Sequence, residues 1–503
     1  MNLEKTVVRK SVAEINEKIK RGGAVVVTAE EMVEIVREKG PIDAAKEVDV
    51  VTTGTFGAMC SSGAWLNFGH SDPPIKMQRV WINDVEAYTG VAAVDAYIGA
   101  TQLSETKGMD YGGGHVIEDL VRGKEVEVRA TAYGTDCYPR TQIETQVTIE
   151  DLNQAVLCNP RNAYQKYTAA TNSRSETIYT YMGTLLPRYG NVTYSGAGEL
   201  SPLNKDPNYE TIGIGTRIFL CGAQGYIFWE GTQHNPTKAL GTIMTVGNLR
   251  EMNARYLRGA SINRYGTSLY VGLGIPIPII NERVAKTAGT GDDEIKTNIV
   301  DYGVPRRDRP VVREVTYAEL KSGKVRIGDR DVPVSPLSSL KRAREIANVL
   351  KKWIVEKRFF LSEPVERLST DRIFKPMKQL AVVSFAKDLM VKTVVTAKPS
   401  DTIVSAAKLI AERGFDHLPI VDDEGKLVGI VTSWDIAVAV ATKKKKLSEI
   451  MTTKVITARE DEPVELVARK LEKYGISGVP VVGSKGELKG IITSDDLSKL
   501  LRR

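Results

Sequence analysis

Four cysteines and four histidines are the residues of this 503-residue sequence best equipped for nucleophilic or proton-transfer chemistry. The thiols stand at Cys60, Cys137, Cys158 and Cys221, the imidazoles at His70, His115, His234 and His417. No two cysteines form a CxxC pair, so neither a disulfide framework nor a zinc ribbon is indicated, and the thiols read as reduced. Cys137 lies in a Gly- and Pro-bounded segment, Gly134 to Arg140, read as a loop between two strands. A thiolate nucleophile wants an accessible, electropositive setting; Arg140 supplies it, while Asp136 works against it. Cys60 follows an apolar strand at 48–53 within the small residues Ala58 to Gly63, where a helix N-terminus is expected to lower its pKa. Cys158 and Cys221, the latter in an apolar run, read as small buried hydrophobes. His115, after Gly112, Gly113 and Gly114, is a candidate acid–base group because it titrates near neutrality. A mononuclear site from Cys60, His70, His115 and Cys137 has no recognised ligand spacing, so no metal is expected.

The elements that must position these groups follow from length and pattern. A chain of this size divides into two to four domains, and its 42% hydrophobic and 26% charged residues are those of a folded protein. The net charge of +7 is dispersed except at Lys443 to Lys446, a run that reads as a solvated linker and not as a nucleic-acid site. No window is apolar enough to span a membrane, and the charged, helix-like stretch at 1–20 lacks a signal-peptide core, so a cytoplasmic protein is expected. A long helix is predicted over 340–361 to close the first body, followed by a tether from 363 to about 383. The spacing of Gly54 and Gly57 is not the dinucleotide fingerprint, and prolines follow Gly274 where a phosphate-binding helix would start.

The last quarter of the chain repeats with a constant offset of 61 residues. Met390 aligns with Met451, Thr396 with Thr457, Pro419 with Pro480, Gly429 with Gly490, Thr432 with Thr493, and Asp435 with Asp496. Each copy reads as β-α-β-β-α, opening on a short strand at 394–396 or 455–457. The pattern places a hydroxyl at a strand end and a carboxylate in the first turn of the next helix. The hydroxyl caps backbone donors or meets a phosphate, and the carboxylate accepts two ribose hydroxyls.

These residues resemble the CBS-domain family, in which paired units hold adenosine-type ligands; its G-h-x-T-x-x-D pattern occurs at Gly429, Thr432 and Asp435 and again at Gly490, Thr493 and Asp496. Thr396, Thr457 and Pro480 join these six as the expected ligand-binding set. The first 370 residues resemble the homocysteine-biosynthesis family of methanogens, the L-aspartate semialdehyde sulfurtransferases. The likeness rests on Thr53 to Ala64, on Gly112 to His115, on Gly134 to Pro139, and on the 77 residues that separate Cys60 from Cys137. It implies that Cys137 carries a persulfide, that Cys60 is a second working cysteine, that aspartate semialdehyde receives the sulfur from a sulfide or persulfide donor, and that a small ferredoxin-like iron–sulfur protein assists.

The expected architecture is a mixed α/β (α+β) catalytic body with Gly-rich loops at 1–370, a linker at 371–385, and CBS units at 386–445 and 446–503. No tightly bound cofactor is expected. S-adenosylmethionine or methylthioadenosine, alternatively AMP or ATP, is the expected regulatory ligand, and a homodimer the expected assembly. Two other readings compete. A non-enzymatic S-adenosylmethionine sensor would survive loss of Cys137, and a CBS-bearing dehydrogenase of the inosine-phosphate type would carry the pair inside a barrel rather than at the end.

Overall fold

The computed structural model describes residues 7–238, 240–305, 308–375 and 385–500. The chain forms two compact units, Met1–Gly303 with Pro310–Lys375, and Val304–Arg309 with Pro376–Arg503. The linker read at 371–385 falls largely on 376–384, outside the described residues.

The first unit is built on a nine-stranded sheet. The elements that frame the site are α1 (Val12–Arg21), β1 (Thr55–Ala58), β2 (Gly63–Asn67), β3 (Asp95–Gly99), α2 (Gly113–Val121), β4 (Val126–Thr131), β5 (Gln142–Val147), β6 (Gln154–Asn162), β7 (Arg217–Leu220), β8 (Ala223–Glu230), β9 (Ile243–Asn248), β10 (Leu257–Ile262), β11 (Gly266–Gly274) and α3 (Leu340–Val355). The sheet order is β10-β11-β7-β8-β9-β6-β2-β3, with β1 pairing with β11, and every pairing is antiparallel. Its inward residues, such as Leu66, Leu157, Ile227 and Leu269, are buried in one continuous core.

The glycines of the Gly-rich segments serve packing directly. A Cβ on Gly113 would fall 1.9 Å from the Gly99 carbonyl oxygen, one on Gly114 2.2 Å from that of Ser268, and one on Gly112 2.2 Å from that of Gln102. The glycine run is therefore the seat of α2 on the sheet. Gly54 plays the same part for α3, since a Cβ there would meet the Ala343 carbonyl oxygen at 2.1 Å.

Helix α3 follows the predicted apolar spacing, burying Ala343, Ile346, Ala347, Leu350 and Ile354, and Ser339 caps it by accepting from the Arg342 N–H. It ends at Val355, short of the predicted 361. Lys357 adopts a left-handed φ of 62°, and beyond it the Asn16 amide of α1 exchanges two hydrogen bonds with the Leu361 backbone, both 2.9 Å. A tertiary partner thus takes over from the helix.

In the second unit the repeat is realised as α4 (Ile403–Arg413), β12 (His417–Val421), β13 (Leu427–Thr432) and α5 (Ser433–Ala441), then α6 (Val464–Tyr474), β14 (Gly478–Val482), β15 (Leu488–Thr493) and α7 (Ser494–Leu500). The opening strands predicted at 394–396 and 455–457 do not form; a bridge at Ala397 and a two-residue strand Ala458–Arg459 stand just beyond them. Single ladder contacts with Ile420 and with Val481–Val482 are all that each segment finds to pair with. The copies exchange their leading segments. Met390 packs on Gly490 while Met451 packs on Gly429, and the bridges Val391 to Ile491 and Ile430 to Thr452 repeat the exchange along the backbone.

Gly114→Ala is expected to destabilise the first unit by about 2 kcal/mol or more, as overpacking against an immovable carbonyl does. Denaturant unfolding checks this, and an unchanged midpoint would contradict the seating of α2.

Candidate active site and ligand cleft

Cys60 sits in a tight turn between β1 and β2, closed by the Ser62 N–H donating to the Met59 carbonyl at 3.0 Å. No helix starts there, so the dipole expected to activate it is missing, and burial instead pushes the thiol above its usual pKa. Three features oppose that rise, the Cys60 backbone N–H among them. Cys60 Sγ lies 3.2 Å from Ser268 Oγ on β11, and the Arg161 guanidinium acts on the thiol with its positive charge. The phenols of Tyr164, Tyr265 and Tyr270 lie close enough for Cys60 to act on them electrostatically.

The strand behind the thiol is unusually polar for a core. Asn159 and Thr245, opposite each other on β6 and β9, are fully buried, as is Ser62 at the end of the Cys60 turn. Ser61 Oγ reaches the Asn159 carbonyl oxygen at 3.5 Å. Ser268 and Asn159 were not singled out in the sequence, because polar residues in an alternating strand read as its solvent face, whereas Arg161 stood there only as one of three arginines near Gly-rich loops, with Arg140 and Arg217, able to meet a substrate carboxylate.

Cys137 is exposed in the loop joining β4 to β5, residues 132–141, as predicted. Its neighbour Tyr138 stacks on His70, with ring centroids 5.9 Å apart. Arg140 is spent on the chain itself: Nε donates to the Pro73 carbonyl at 3.0 Å and Nη2 to that of Asp72 at 2.5 Å. These bonds anchor the loop to the segment that follows β2. Cys60 precedes β2 and His70 follows it, so a strand about 13 Å long, at about 3.3 Å per residue, lies between the surroundings of the two thiols.

His115 occupies the first turn of α2, half-buried, where Nδ1 accepts the Gly112 N–H at 3.2 Å and the ring stacks on Tyr111. Burial pulls its pKa down, and the charges opposing that are Glu118 and Asp119 of its own helix, neither of them a cysteine. Cys221 is fully buried with its pKa pushed up to about 12, as expected for a packing residue, whereas Cys158 on β6 is only half-buried, with its pKa raised by that burial. Among the described residues no group of three or more His, Cys, Asp and Glu side chains could hold a metal ion.

In the second unit Thr493 and Asp496 line a cavity of about 410 Å³. Val391, Val394, Val395, Phe415 and Ile491 form its apolar wall; Asp416, Asp495 and Asp496 face it with a single cation, Lys499. Thr493 Oγ1 donates to Asp496 Oδ2 at 2.7 Å, and Thr432 Oγ1 to Asp435 Oδ2 at 2.7 Å. Both pairs close the start of a helix, so the capping role is realised in each copy. Thr396 adjoins Val395 of the cavity wall, Thr457 offers its carbonyl to Lys470 at 2.7 Å, and Pro480 is buried within β14. Gly429 and Gly490 receive the two methionines.

The first unit thus sets an exposed thiol on an anchored loop and a half-buried thiol among polar groups, and the second unit is a duplicated module, the outline of a thiol-bearing body with a tandem C-terminal repeat. Residues 24–361 match the family described as "Homocysteine biosynthesis enzyme, sulfur-incorporation", and residues 386–442 and 447–503 match the CBS domain. The chain belongs to that homocysteine-biosynthesis family and is a sulfurtransferase. It is 58% identical over 497 residues to the L-aspartate semialdehyde sulfurtransferase of Methanosarcina acetivorans, covering 99% of each chain. It is 55% identical over 508 residues to the enzyme of the same description from Methanocaldococcus jannaschii, covering 98% of this chain and 99% of that one. A solved CBS domain pair in complex with 5'-methylthioadenosine and S-adenosyl-L-methionine is 52% identical, covers 24% of this chain and 98% of its own, and superposes with a TM-score of 0.24. No helix among the described residues is long and apolar enough to cross a membrane.

Because burial disfavours the thiolate and Ser268 favours it, Ser268→Ala is expected to raise the Cys60 pKa further. Its iodoacetamide alkylation at pH 8.5, followed by peptide mass, should slow by about 3- to 10-fold, the scale of one neutral hydrogen bond. An unchanged rate would show that the hydroxyl does not tune the thiol.

Proposed function

We propose that this chain forms L-homocysteine from L-aspartate semialdehyde, with Cys137 as the sulfur carrier and the Cys60 pocket as the place where the aldehyde is held. The observation that carries the reading is the contrast between the two thiols, one open to a donor and the other enclosed among polar groups. A persulfide donor gives up its outer sulfur to the Cys137 thiolate and leaves as its own thiolate, and the exposed 132–141 loop presents the new persulfide to the pocket. The terminal sulfur adds to the aldehyde carbon, whose oxygen takes up a proton. Two electrons then cleave the sulfur–sulfur bond, returning the Cys137 thiolate and leaving a 1-hydroxy thiol. Loss of water followed by two further electrons and two protons gives the homocysteine thiol.

The electrons come from a ferredoxin-like iron–sulfur partner. The reaction is placed in the cytoplasm, in a homodimer whose catalytic body spans 1–370. His115 is given no bond-making step, because Nδ1 is held by the backbone and only Nε2 is left to move a proton.

The cleft of the second unit is read as a regulatory site for S-adenosylmethionine or methylthioadenosine. Three carboxylates against one ammonium repel a polyphosphate, whereas an apolar wall with acidic groups suits an adenosyl thioether or sulfonium.

Intact-mass analysis after incubation with a sulfur donor is expected to show one added sulfur on the wild type and none on Cys137→Ala, whose homocysteine formation falls by at least about 10³-fold. Sulfur retained by the variant would overturn the carrier assignment. Calorimetry is expected to show S-adenosylmethionine binding that Asp496→Ala weakens about tenfold, as loss of one hydrogen-bonded carboxylate does, and no ATP binding. Tight ATP binding would overturn the choice of ligand.

A further inference from the structure

The residues packed around Cys60 hold more hydrogen-bond donors than they satisfy. Arg161 donates through Nη1 to Gln233 Oε1 at 2.5 Å, but its Nε is buried without a partner. Asn159, fully buried, accepts the Arg161 backbone N–H on Oδ1 at 3.0 Å, which fixes the orientation of the amide and leaves Nδ2 as a second buried donor without an acceptor. The Ser62 and Thr245 hydroxyls, buried close by in the sheet, are likewise without partners. A buried donor left unmet is costly, and a group of them beside a reactive thiol marks where an acceptor-rich ligand belongs.

We infer that Arg161 and Asn159 form a carboxylate-binding site, taking the α-carboxylate of an amino-acid substrate on the Nε edge of the guanidinium and the Asn159 amide so that its side-chain carbon faces Cys60. The inference rests on the reading of the Cys60 pocket as the aldehyde site. With Nη1 committed to Gln233, the Nε edge is the side of the planar fork that remains for a carboxylate. Arg161 is also the full charge that acts on both Cys60 and Tyr164, which locates it at the pocket itself. Arg140 is excluded by its surroundings, since it spends Nε and Nη2 on the Pro73 and Asp72 carbonyls. Arg217 also has a buried Nε without a partner, but it stands at the start of β7 with Nη1 donating to the Phe360 carbonyl, and Arg161 is the arginine whose charge acts on Cys60.

The test uses the full-length chain and two unreactive probes, L-homoserine and its decarboxylated counterpart 3-aminopropan-1-ol. Alkylation of Cys60 by iodoacetamide is followed by peptide mass at increasing probe concentration. The expected result is that L-homoserine protects the wild-type thiol and the amino alcohol does not. In Arg161→Gln the half-protecting concentration is expected to rise about 10- to 100-fold, the scale of a lost charge-assisted hydrogen bond, with Arg161→Lys falling between the two. Equal protection by both probes, protection by neither, or unaltered protection in Arg161→Gln would overturn the site, and the wild-type comparison decides even where a variant fails to fold. Sulfur uptake on Cys137 is read separately by intact mass. Absence of that sulfur with protection intact would sink the carrier and leave the carboxylate site standing, whereas loss of protection with the sulfur present would do the reverse.

Discussion

Backbone touching backbone is the constraint on which the first unit depends. Helix α2 lies so close to the sheet that Gly112, Gly113 and Gly114 have the carbonyls of Gln102, Gly99 and Ser268 where a side chain would stand. That contact fixes β11 beneath the helix, and β11 carries both Ser268 and the ladder partner of β1. The position of Cys60, at the end of β1, follows from it. Arg161 and Asn159 enter from β6, joined to the same turn through β2.

The two thiols are held in opposite settings, and each setting suits a different step. A loop tethered by Arg140 to the backbone at 72–73 keeps Cys137 at the surface, where a macromolecular donor could approach it. Cys60 lies among tyrosines and buried amides, where water is scarce and electrostatic contacts are strong.

The parts legible in the sequence were those encoded locally or by repetition. The offset of 61 residues exposes the duplicated module without any knowledge of its packing, and the Gly-Pro boundaries around Cys137 identify an exposed loop. Long-range pairing was not legible: nothing near Gly57 announces that it lies opposite Val271, and so the helix expected to follow Cys60 is instead a turn within a sheet. Asn159 escaped because its polarity within a strand suggests solvent, whereas the bulge in β6 between Asn159 and Asn162 turns the strand locally and both asparagines are fully buried. The opening strands of the CBS copies were misplaced for a related reason, since each had a single neighbouring strand to define it.

The reciprocal seating of Met390 on Gly490 and Met451 on Gly429 bears on the origin of the module. Each copy completes its core with a segment lent by the other. A forerunner with one copy could have met the same contacts only by pairing with a twin, so fusion of the genes turned an association between chains into one within a chain. Thereafter the two copies were free to diverge, and the single cation and three carboxylates that line the cleft at Thr493 need not be repeated.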